Sequence, residues 1–379
     1  MKGKVLKKNI LNYILFIFIL LLFIGVLVCV RLSDSTNAEK SLYQQWRTAF
    51  LVIDKQDKNT AYIQTKRSGQ ERTVLSEGQG YGLLLTVKAA QCGYATQKDF
   101  DKLDRYYLKN RDAGTALMSW KQTISKKGMI KKFKNNATDG DLYIAYALIE
   151  AGKKWPNQAK DYNQQAKKIL TDLLKYNYNS ETRSLTVGNW ATDTSEYSNL
   201  LRTSDVLPAQ FNEFYRLTQN KTWLLLKDSM LQKLQSLSQQ NKTGLLPDFA
   251  WIKKEKVIPV KPKAISSRYD GCYYYNACRI PYNLAQSQAS LSQRILGKMM
   301  NFFMTEETIT GGYQLNGKKL NDYQSASFAA PILFAALHNQ KYSKLIQQEK
   351  FIFIQKLDVN NYYQSTLVVL TAINGLKNH

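Results

Sequence analysis

The sequence predicts an all-α protein with one N-terminal transmembrane helix ahead of a single helical domain. Three observations support this fold class. A long uncharged segment follows a cluster of lysines at the N-terminus, apolar residues recur at helical spacing through most of the remaining chain, and the stretches with strand character are short. The pattern allows either a closed toroid or an open solenoid of helices.

The N-terminal segment has the composition of a signal anchor. Four lysines among the first eight residues precede an uncharged run over residues 9–30, which is long enough to cross the roughly 30 Å hydrocarbon core of a bilayer as a helix. Because basic flanks stay in the cytoplasm, the C-terminal bulk should lie outside the cell. The chain therefore divides into a cytoplasmic tip and anchor at 1–31 and an extracellular domain at 39–379, and we expect a single-pass protein of the cell membrane.

A cleaved signal peptide is the alternative. Its apolar region normally spans only about 7–15 residues. A cleavage point after Thr36-Asn37-Ala38 would nevertheless release a secreted domain. Cys29 is a poor lipoprotein site because Val28 precedes it, where a small residue is expected.

Composition excludes several classes of function. The formal net charge is +24, which often marks nucleic-acid binding. The lysines are dispersed, however, and no RNA- or DNA-binding motif occurs, so a basic surface near an anionic cell envelope is the favoured interpretation. The only histidines are His338 and His379, which excludes a zinc site with several histidine ligands and leaves one histidine for any Ser-His-Asp triad.

No cofactor is expected either. No GxGxxG or phosphate-binding loop follows a strand, so nucleotide chemistry lacks support. Outside the anchor the cysteines are Cys92, Cys272 and Cys278, an odd number that favours buried thiols and leaves a Cys272–Cys278 pair open. Chemistry must depend on Asp, Glu, Tyr, Lys or Cys.

Helical periodicity defines the domain. The predicted helices span Gly80–Ala95, Asp139–Ala151, Asn163–Lys175, Pro208–Leu217, Thr222–Gln239, Tyr282–Lys298, Ser325–His338, Ser343–Leu357 and Tyr362–Leu376. Helices should end at Gly93 and Gly152. The predicted short strands are Thr60–Gln64, Leu185–Trp190 and Glu255–Val260.

Two segments combine carboxylates with the start of an apolar helix. In Ser76–Gly82, three glycines at alternating positions follow Glu77. The glycines let another molecule approach the backbone closely. Glu77, near the start of the helix, also fits a helix-capping role. Asp139 and Asp141 open the next such helix, so that one acid can face a cleft while the other caps. Calcium is disfavoured because the other ligands of a calcium loop are absent.

Two further segments combine charges with aromatic residues. Arg202–Asp205 lies directly before a helix with proline at its first position, and its structural interpretation is an Arg–Asp pair at a capped helix. Arg268–Pro281 holds three consecutive tyrosines beside an acid, an amide and an arginine. Such a set makes a poor core and a good sugar-binding wall, because aromatic faces pack on pyranose C–H groups.

These four segments, in this order and spacing, resemble glycoside hydrolase family 8 over nearly all of Glu39–Leu376. The positions that carry the resemblance are Glu77, Trp120, Ala137–Trp155 with Asp139, Asn276–Arg279 and Phe328–Pro331. The resemblance implies an (α/α)6 toroid with a cleft across one end. It also implies hydrolysis of β-1,4-type glycans with inversion at the anomeric carbon.

An inverting hydrolase needs a carboxylic acid and a second carboxylate about 6.5–9.5 Å away that activates water. The resemblance makes Glu77 the acid and Asp139 the carboxylate that holds the sugar at the cleavage point. The other substrate-binding candidates are Tyr81, Arg202, Asp205, Tyr275, Asn276 and Arg279, together with Trp120 and Tyr323 as stacking platforms.

The base is where this sequence departs from the family. One branch has Asp where Asn276 stands, and the branch of lichenases and chitosanases takes its base from an upstream Glu whose equivalent here is Ser266. Asp270 is the nearest carboxylate in that loop and the favoured base. Glu255 is an alternative, and a base from elsewhere or none stays open. An Asp before Gly also commonly closes a turn.

The sequence therefore predicts a monomeric, membrane-anchored inverting endo-glycosidase. Its partner would be a polysaccharide such as a β-glucan, a chitosan-like polymer or a cell-surface or biofilm exopolysaccharide, with no metal, cofactor or nucleic acid. A catalytically impaired glycan-binding module on the same fold is the alternative, supported by the missing base. Other helical toroids, such as terpene cyclases, need aspartate-rich metal motifs that this sequence lacks.

Overall fold

The computed structural model describes residues 2–32, 35–192, 194–254 and 256–376, with the side chains of 2–12, 29–32, 35 and 36 left out. Glu255, the alternative base, and His379 lie outside the described residues. The fold is dominated by helices, as predicted.

The helices follow one another along the whole chain. Their bounds are α1 Lys2–Leu32, α2 Ser35–Phe50, α3 Ser76–Gln91, α4 Gln97–Lys109, α5 Thr138–Lys154, α6 Ala159–Tyr176, α7 Pro208–Thr218, α8 Thr222–Gln239, α9 Ile280–Ala285, α10 Ser290–Phe303, α11 Ala326–Leu337, α12 Ser343–Glu349 and α13 Tyr362–Gly375.

The strands are short and form small antiparallel sheets. Their bounds are β1 Leu51–Ile53, β2 Ala61–Ile63, β3 Lys66–Ser68, β4 Glu71–Leu75, β5 Lys121–Ile124, β6 Ile130–Lys132, β7 Tyr178–Asn179, β8 Ser184–Leu185, β9 Leu200–Arg202, β10 Phe249–Lys253 and β11 Lys256–Pro259. The larger sheets have the orders β3-β4-β5-β6 and β11-β10-β9.

The helices form two layers. In the described part of the chain, α3, α5, α7, α9, α11 and α13 contact one another in sequence, and α13 closes the ring on α3. The remaining helices from α2 to α12 pack outside this ring, and α4, α6 and α10 bury one amphipathic face each. Closure of the inner ring decides between the two architectures that the periodicity allowed, in favour of the (α/α)6 toroid.

Several of the predicted helix boundaries differ from the structure; the predicted helix Ser343–Leu357, for example, ends as an α-helix at Glu349. The predicted helix Tyr282–Lys298 is divided into α9 and α10 by a break at residues 286–289. Gly152 does not end α5, which continues to Lys154. It is a packing residue instead, because a Cβ there would lie 2.9 Å from Oδ1 of Asn163 on α6. Gly93, with φ +81°, does end α3 as predicted.

Several elements gave no clear signal in the sequence. The outer helices α2 and α4 and the strands β3 to β6 were not predicted, although α4 does carry helical periodicity in Phe100, Leu103 and Tyr107. Thr96 and Asp99 form a reciprocal capping box at the start of α4. Conversely, the predicted strand Leu185–Trp190 is reduced to the two residues of β8.

The apolar N-terminal segment is helical, and its side chains from Tyr13 to Val28 are exposed. Among the described residues, no helix has both the length and the apolarity that a membrane span requires.

The close packing of α3 on α5 depends on Gly80. A Cβ at this position would lie 2.8 Å from the carbonyl oxygen of Gly140 and 2.9 Å from Cβ of Tyr143. We expect Gly80→Ala to lower the free energy of unfolding by about 1–3 kcal/mol through overpacking.

Gly297→Ala is the matched control, since Gly297 is also helical and a Cβ there would meet only the hydroxyl of Tyr342, at 3.7 Å. It should be neutral or stabilising by up to about 1 kcal/mol. Urea unfolding of both variants measures the difference, and equal effects would contradict the close contact between α3 and α5.

Candidate active site

The candidate site lies where the inner helices begin. Glu77 is in the first turn of α3, Asp139 is in the first turn of α5, and Asp205 ends the short helix that precedes α7. Arg279 directly precedes α9. Because the inner helices start at the same end of the toroid, side chains that are far apart in the sequence converge there.

Arg279 is the centre of this cluster. Its buried guanidinium places Nη1 3.7 Å from Oε1 of Glu77 and 3.4 Å from Oδ2 of Asp139. Its Nη2 donates to Oγ of Ser204 at 2.8 Å and to Oδ1 of Asn276 at 3.2 Å. One side chain thus connects groups from four segments of the chain.

Arg202 is a second cation in contact with the same aspartate. Its Nη1 lies 2.5 Å from Oδ2 of Asp139 and 3.7 Å from Oδ1 of Asp205. Although burial alone would raise it, the pKa of Asp139 lies below its usual value because Arg202 and Arg279 favour the carboxylate form. Asp139 is therefore ionised in the working range of pH.

Glu77 has the opposite electrostatic environment. Burial, together with the charge of Asp139, raises the pKa of Glu77 to about 6 against the influence of Arg279. Its Oε1 has no hydrogen-bond partner among the described residues, while the side chain is 23% exposed. A carboxyl group with a pKa near 6 keeps a protonated fraction in mildly acidic conditions, and one that also reaches a cleft is suited to donate a proton.

Asp205 is the third acid of the cluster. It is buried, and neither of its carboxylate oxygens has a hydrogen-bond partner among the described residues. Burial raises the pKa of Asp205 to about 7, with Arg202 opposing the shift and Asp139 adding to it. A buried carboxylate without hydrogen bonds is costly to a fold, so its retention beside the cleft calls for a functional reason.

Aromatic residues line the approach to these charges. The predicted stacking residues Trp120 and Tyr323 are 40% and 48% exposed, and the hydroxyl of Tyr275 lies 3.3 Å from that of Tyr323. Tyr81 is buried beneath them, with its hydroxyl 3.4 Å from Nη1 of Arg279. Tyr81 therefore supports the cluster from below rather than forming part of an open wall.

The three consecutive tyrosines divide between core and cleft. Tyr273 is fully buried and packs on Phe303 and Phe328, so the prediction of a continuous sugar-binding wall is wrong at this position. Tyr274 and Tyr275 are half-buried.

Asp270, the predicted base, is engaged by its own loop. Its Oδ2 accepts the backbone N–H groups of Ile265 and Ser266 at 2.8 and 3.0 Å, and its Oδ1 accepts that of Ser267 at 3.0 Å. The residue is buried. A carboxylate whose oxygens are occupied by the amides of its own loop closes a turn, which was the competing interpretation.

A buried aspartate that positions the site, Asp248, gave no usable signal in the sequence. Asp248 accepts from Nδ2 of Asn276 at 3.2 Å and from the backbone N–H groups of Tyr274 and Ala277 at 3.0 and 2.7 Å. Asp248 therefore fixes the orientation of the Asn276 amide and of the turn that carries Arg279. Its partners are distant in the sequence, so no local pattern reveals it.

Asp141 is the other positioning aspartate. Its oxygens accept the backbone N–H of Met118 at 2.8 Å and Nδ2 of Asn136 at 2.8 Å. Asp139 faces the cleft arginines while Asp141 holds the loop that carries Trp120.

Cys272 and Cys278 do not form a disulfide, because both thiols are free.

The geometry can now be compared with known proteins. The family model described as glycosyl hydrolases family 8 matches residues 21–375. The chain belongs to glycosyl hydrolase family 8. It is accordingly a glycoside hydrolase of an inverting family.

Relatives agree with this assignment over most of the chain. A beta-glucanase of Niallia circulans is 30% identical over 321 residues, which cover 81% of this chain and 76% of the relative. An endoglucanase of Bacillus sp. (strain KSM-330) is 29% identical over 330 residues, covering 82% and 70%. The apo structure of a beta-1,3-1,4-glucanase from Paenibacillus sp. X4 superposes with a TM-score of 0.82 at 26% identity, covering 92% and 93% of the two chains.

The turn role of Asp270 makes a prediction for this family 8 hydrolase. Asp270→Ala leaves the backbone amides of three loop residues without their acceptor, which should lower the free energy of unfolding by about 1–3 kcal/mol. The kcat of the folded variant should change little.

Chemical denaturation and turnover measured at a temperature where the variant is folded separate the two roles. A stable variant with kcat reduced about 10²–10⁴-fold would restore Asp270 as the base.

Proposed function

We propose that this protein is an inverting endo-glycosidase that hydrolyses a β-glucan. The observation that carries the proposal is the pairing of a raised-pKa carboxyl, Glu77, with an ionised one, Asp139, at 3.7 and 3.4 Å from Nη1 of Arg279. The beta-glucanase and endoglucanase names of the relatives support a β-glucan as the substrate class.

The first half of the reaction uses Glu77. Its protonated carboxyl donates to the glycosidic oxygen as the bond from that oxygen to the anomeric carbon breaks. Asp139, held ionised by two arginines, binds the sugar at the cleavage point and stabilises the positive charge that develops on it. Trp120 and Tyr323 supply exposed rings on which neighbouring sugars stack.

The second half needs a proton acceptor for the attacking water. Neither Asn276 nor Ser266 has a carboxylate, and Asp270 is occupied by its own loop. Among the described carboxylates around the two arginines, Asp248 is occupied by three donors, whereas both oxygens of Asp205 are free of hydrogen bonds. We therefore assign Asp205 as the acceptor.

This assignment has a structural requirement. Asp205 is buried behind Arg202, whose side chain is itself largely covered. Substrate binding at Asp139 must shift the Arg202 side chain enough to admit one water to Asp205. The competing proposal, a glycan-binding module that has lost catalysis, predicts binding without turnover.

The role of Glu77 is tested by Glu77→Gln, which keeps the size of the side chain and removes the proton. We expect a loss of at least about 10²–10⁴-fold in kcat on barley β-glucan, measured as released reducing ends, because general-acid catalysis supplies a factor of this size. Glu71→Gln, at an exposed position six residues earlier, is the matched control and should keep wild-type kcat. Retention of more than half the wild-type rate by Glu77→Gln would contradict the assignment.

The role of Asp205 is tested by pH dependence. The active form has Glu77 protonated and Asp205 ionised. Because the pKa of Glu77, about 6, lies below that of Asp205, about 7, this form is a minor one that is most populated between the two values. The profile of kcat/KM should therefore be bell-shaped, falling as pH drops below about 6 and as pH rises above about 7. In Asp205→Asn the residual kcat/KM should lose its low-pH limb and fall steadily with rising pH.

Asp248→Asn is the control, because it removes a buried aspartate that holds a turn. It should be less stable but keep the bell-shaped profile. If the pH profile of kcat/KM stays bell-shaped and unchanged in Asp205→Asn, this residue is excluded as the proton acceptor.

We further propose that the uncharged run over residues 9–30 anchors the protein in the cell membrane with the domain outside. The orientation of α2 is compatible with this. Its C-terminal Phe50 packs on Tyr362 at 5.6 Å, and the hydroxyl of Tyr362 donates to Gly78 at the cleft end. Since α2 has 16 residues and spans roughly 24 Å, the cleft opens at the end away from the anchor.

Membrane fractionation tests the anchor. The full-length protein should stay in the membrane pellet after an alkaline carbonate wash, whereas a variant that lacks residues 1–31 should be absent from that pellet. Recovery of most full-length protein from the medium, with a new N-terminus near Glu39, would establish a cleaved signal instead.

A further inference from the structure

A hairpin beside the site has an unusual charge. We define the basic hairpin as residues 121–134, which comprise β5, β6 and the loop ends around them. It holds six lysines and no acidic residue, at Lys121, Lys126, Lys127, Lys131, Lys132 and Lys134. In the described part of the chain, none of these six forms an ion pair. All except Lys121 are exposed.

The basic hairpin is continuous with the catalytic acid. Lys121 of β5 pairs with Leu75 of β4, and the carbonyl of Trp120 accepts the backbone N–H of Ser76 at 3.0 Å. Glu77 is the next residue after Ser76. The base of the basic hairpin, at Lys121, therefore adjoins the cleft, and the hairpin extends from there over the same end of the domain.

Aromatic rings hold two of the lysines near the stacking residue. Nζ of Lys121 lies 5.7 Å from the centre of the Trp120 ring and 4.9 Å from that of Phe133, and Nζ of Lys131 lies 5.2 Å from the Phe133 ring. Such cation–π contacts restrict ammonium groups that would otherwise move freely. A sugar stacked on the exposed Trp120 would have a positioned cation beside it.

We propose that the substrate of this site is an anionic glycan, whose carboxylate or phosphate substituents bind the basic hairpin while its backbone lies in the cleft. This inference rests on the proposed function and narrows its substrate class. An anionic chain would be attracted by the unpaired lysines and concentrated at the cleft. A chitosan-like polycation would be repelled by the same charges.

A lipid surface is the other polyanion that such a hairpin could meet. The tip has exposed apolar residues, with Met129 69% exposed, between two pairs of lysines, a composition that also suits an anionic membrane. The direction of α2 argues against it. The hairpin lies at the cleft end of the domain, and α2 separates that end from the proposed anchor by roughly 24 Å.

Affinity electrophoresis of full-length Glu77→Gln in detergent tests the proposal without turnover. The gels contain carboxymethylcellulose, phosphorylated cellulose, neutral barley β-glucan or chitosan. The hairpin variant carries Glu77→Gln together with K126Q, K127Q, K131Q and K132Q. The control variant carries Glu77→Gln together with K154Q, K160Q, K341Q and K344Q. The control removes the same number of positive charges, but at and beyond the ends of α5 and α11 that are far from the cleft.

We expect anionic polymers to be retained more strongly than neutral β-glucan, and chitosan least. The hairpin variant should bind the anionic polymers about tenfold more weakly than Glu77→Gln alone. The preference of Glu77→Gln for anionic over neutral polymers should weaken as the salt concentration rises. The control variant should stay within about twofold of the parent. Comparison of the retention on carboxymethylcellulose with that on phosphorylated cellulose shows whether the hairpin binds carboxylate or phosphate substituents more strongly.

Three results would overturn the proposal. Equal retention on neutral and anionic polymers would show that the protein has no preference for anionic glycans. An equal loss in both lysine variants would show attraction by net charge alone. A hairpin variant that loses binding to vesicles of phosphatidylglycerol and phosphatidylcholine, but not to anionic glycans, would assign the hairpin to a membrane. Absence of turnover by the wild type on every polymer, with charge-dependent binding retained, would instead contradict the proposed hydrolysis.

Discussion

The arrangement of the site depends on the burial of the Arg279 guanidinium. A buried cation is tolerated only when several acceptors surround it, because desolvation costs several kcal/mol for an isolated charge. The acceptors here come from the starts of separate helices: Glu77 from α3, Asp139 from α5 and Ser204 from the segment before α7. The need to satisfy one side chain thus aligns the inner ring at its cleft end.

The same cluster gives Glu77 and Asp139 different protonation states. Glu77 and Asp139 share one guanidinium, but Asp139 has Arg202 as a second partner and Glu77 does not. Two carboxyls in a poorly solvated site then differ in pKa because their cationic neighbours differ in number. One remains a proton donor and the other remains an anion, which is the division of roles that glycoside hydrolysis needs.

Local patterns in the sequence were informative where the chemistry is local. Most inner helices follow from apolar periodicity, and Glu77, Asp139 and Arg279 stand at the family positions and do meet in space. Contacts across long separations were not predictable in this way. The loop around Asp270 looks catalytic in the sequence because it holds a carboxylate near Asn276, and only the three amides that face this carboxylate show its turn role. Asp205 resembles an ordinary helix-start residue until its lack of hydrogen bonds is seen.

The most direct test of this account is the protonation of Glu77 itself. Carboxyl ¹³C NMR of glutamate-labelled full-length protein, with the Glu77 signal assigned by its absence in Glu77→Gln, measures the pKa without any substrate. The account predicts a midpoint of about 6, raised by burial and by the charge of Asp139. A midpoint at or below the ordinary glutamate value of about 4.3 would show that the contact with Arg279 dominates. Glu77 would then be almost wholly ionised even at pH 6 and would lack the proton that the acid must donate.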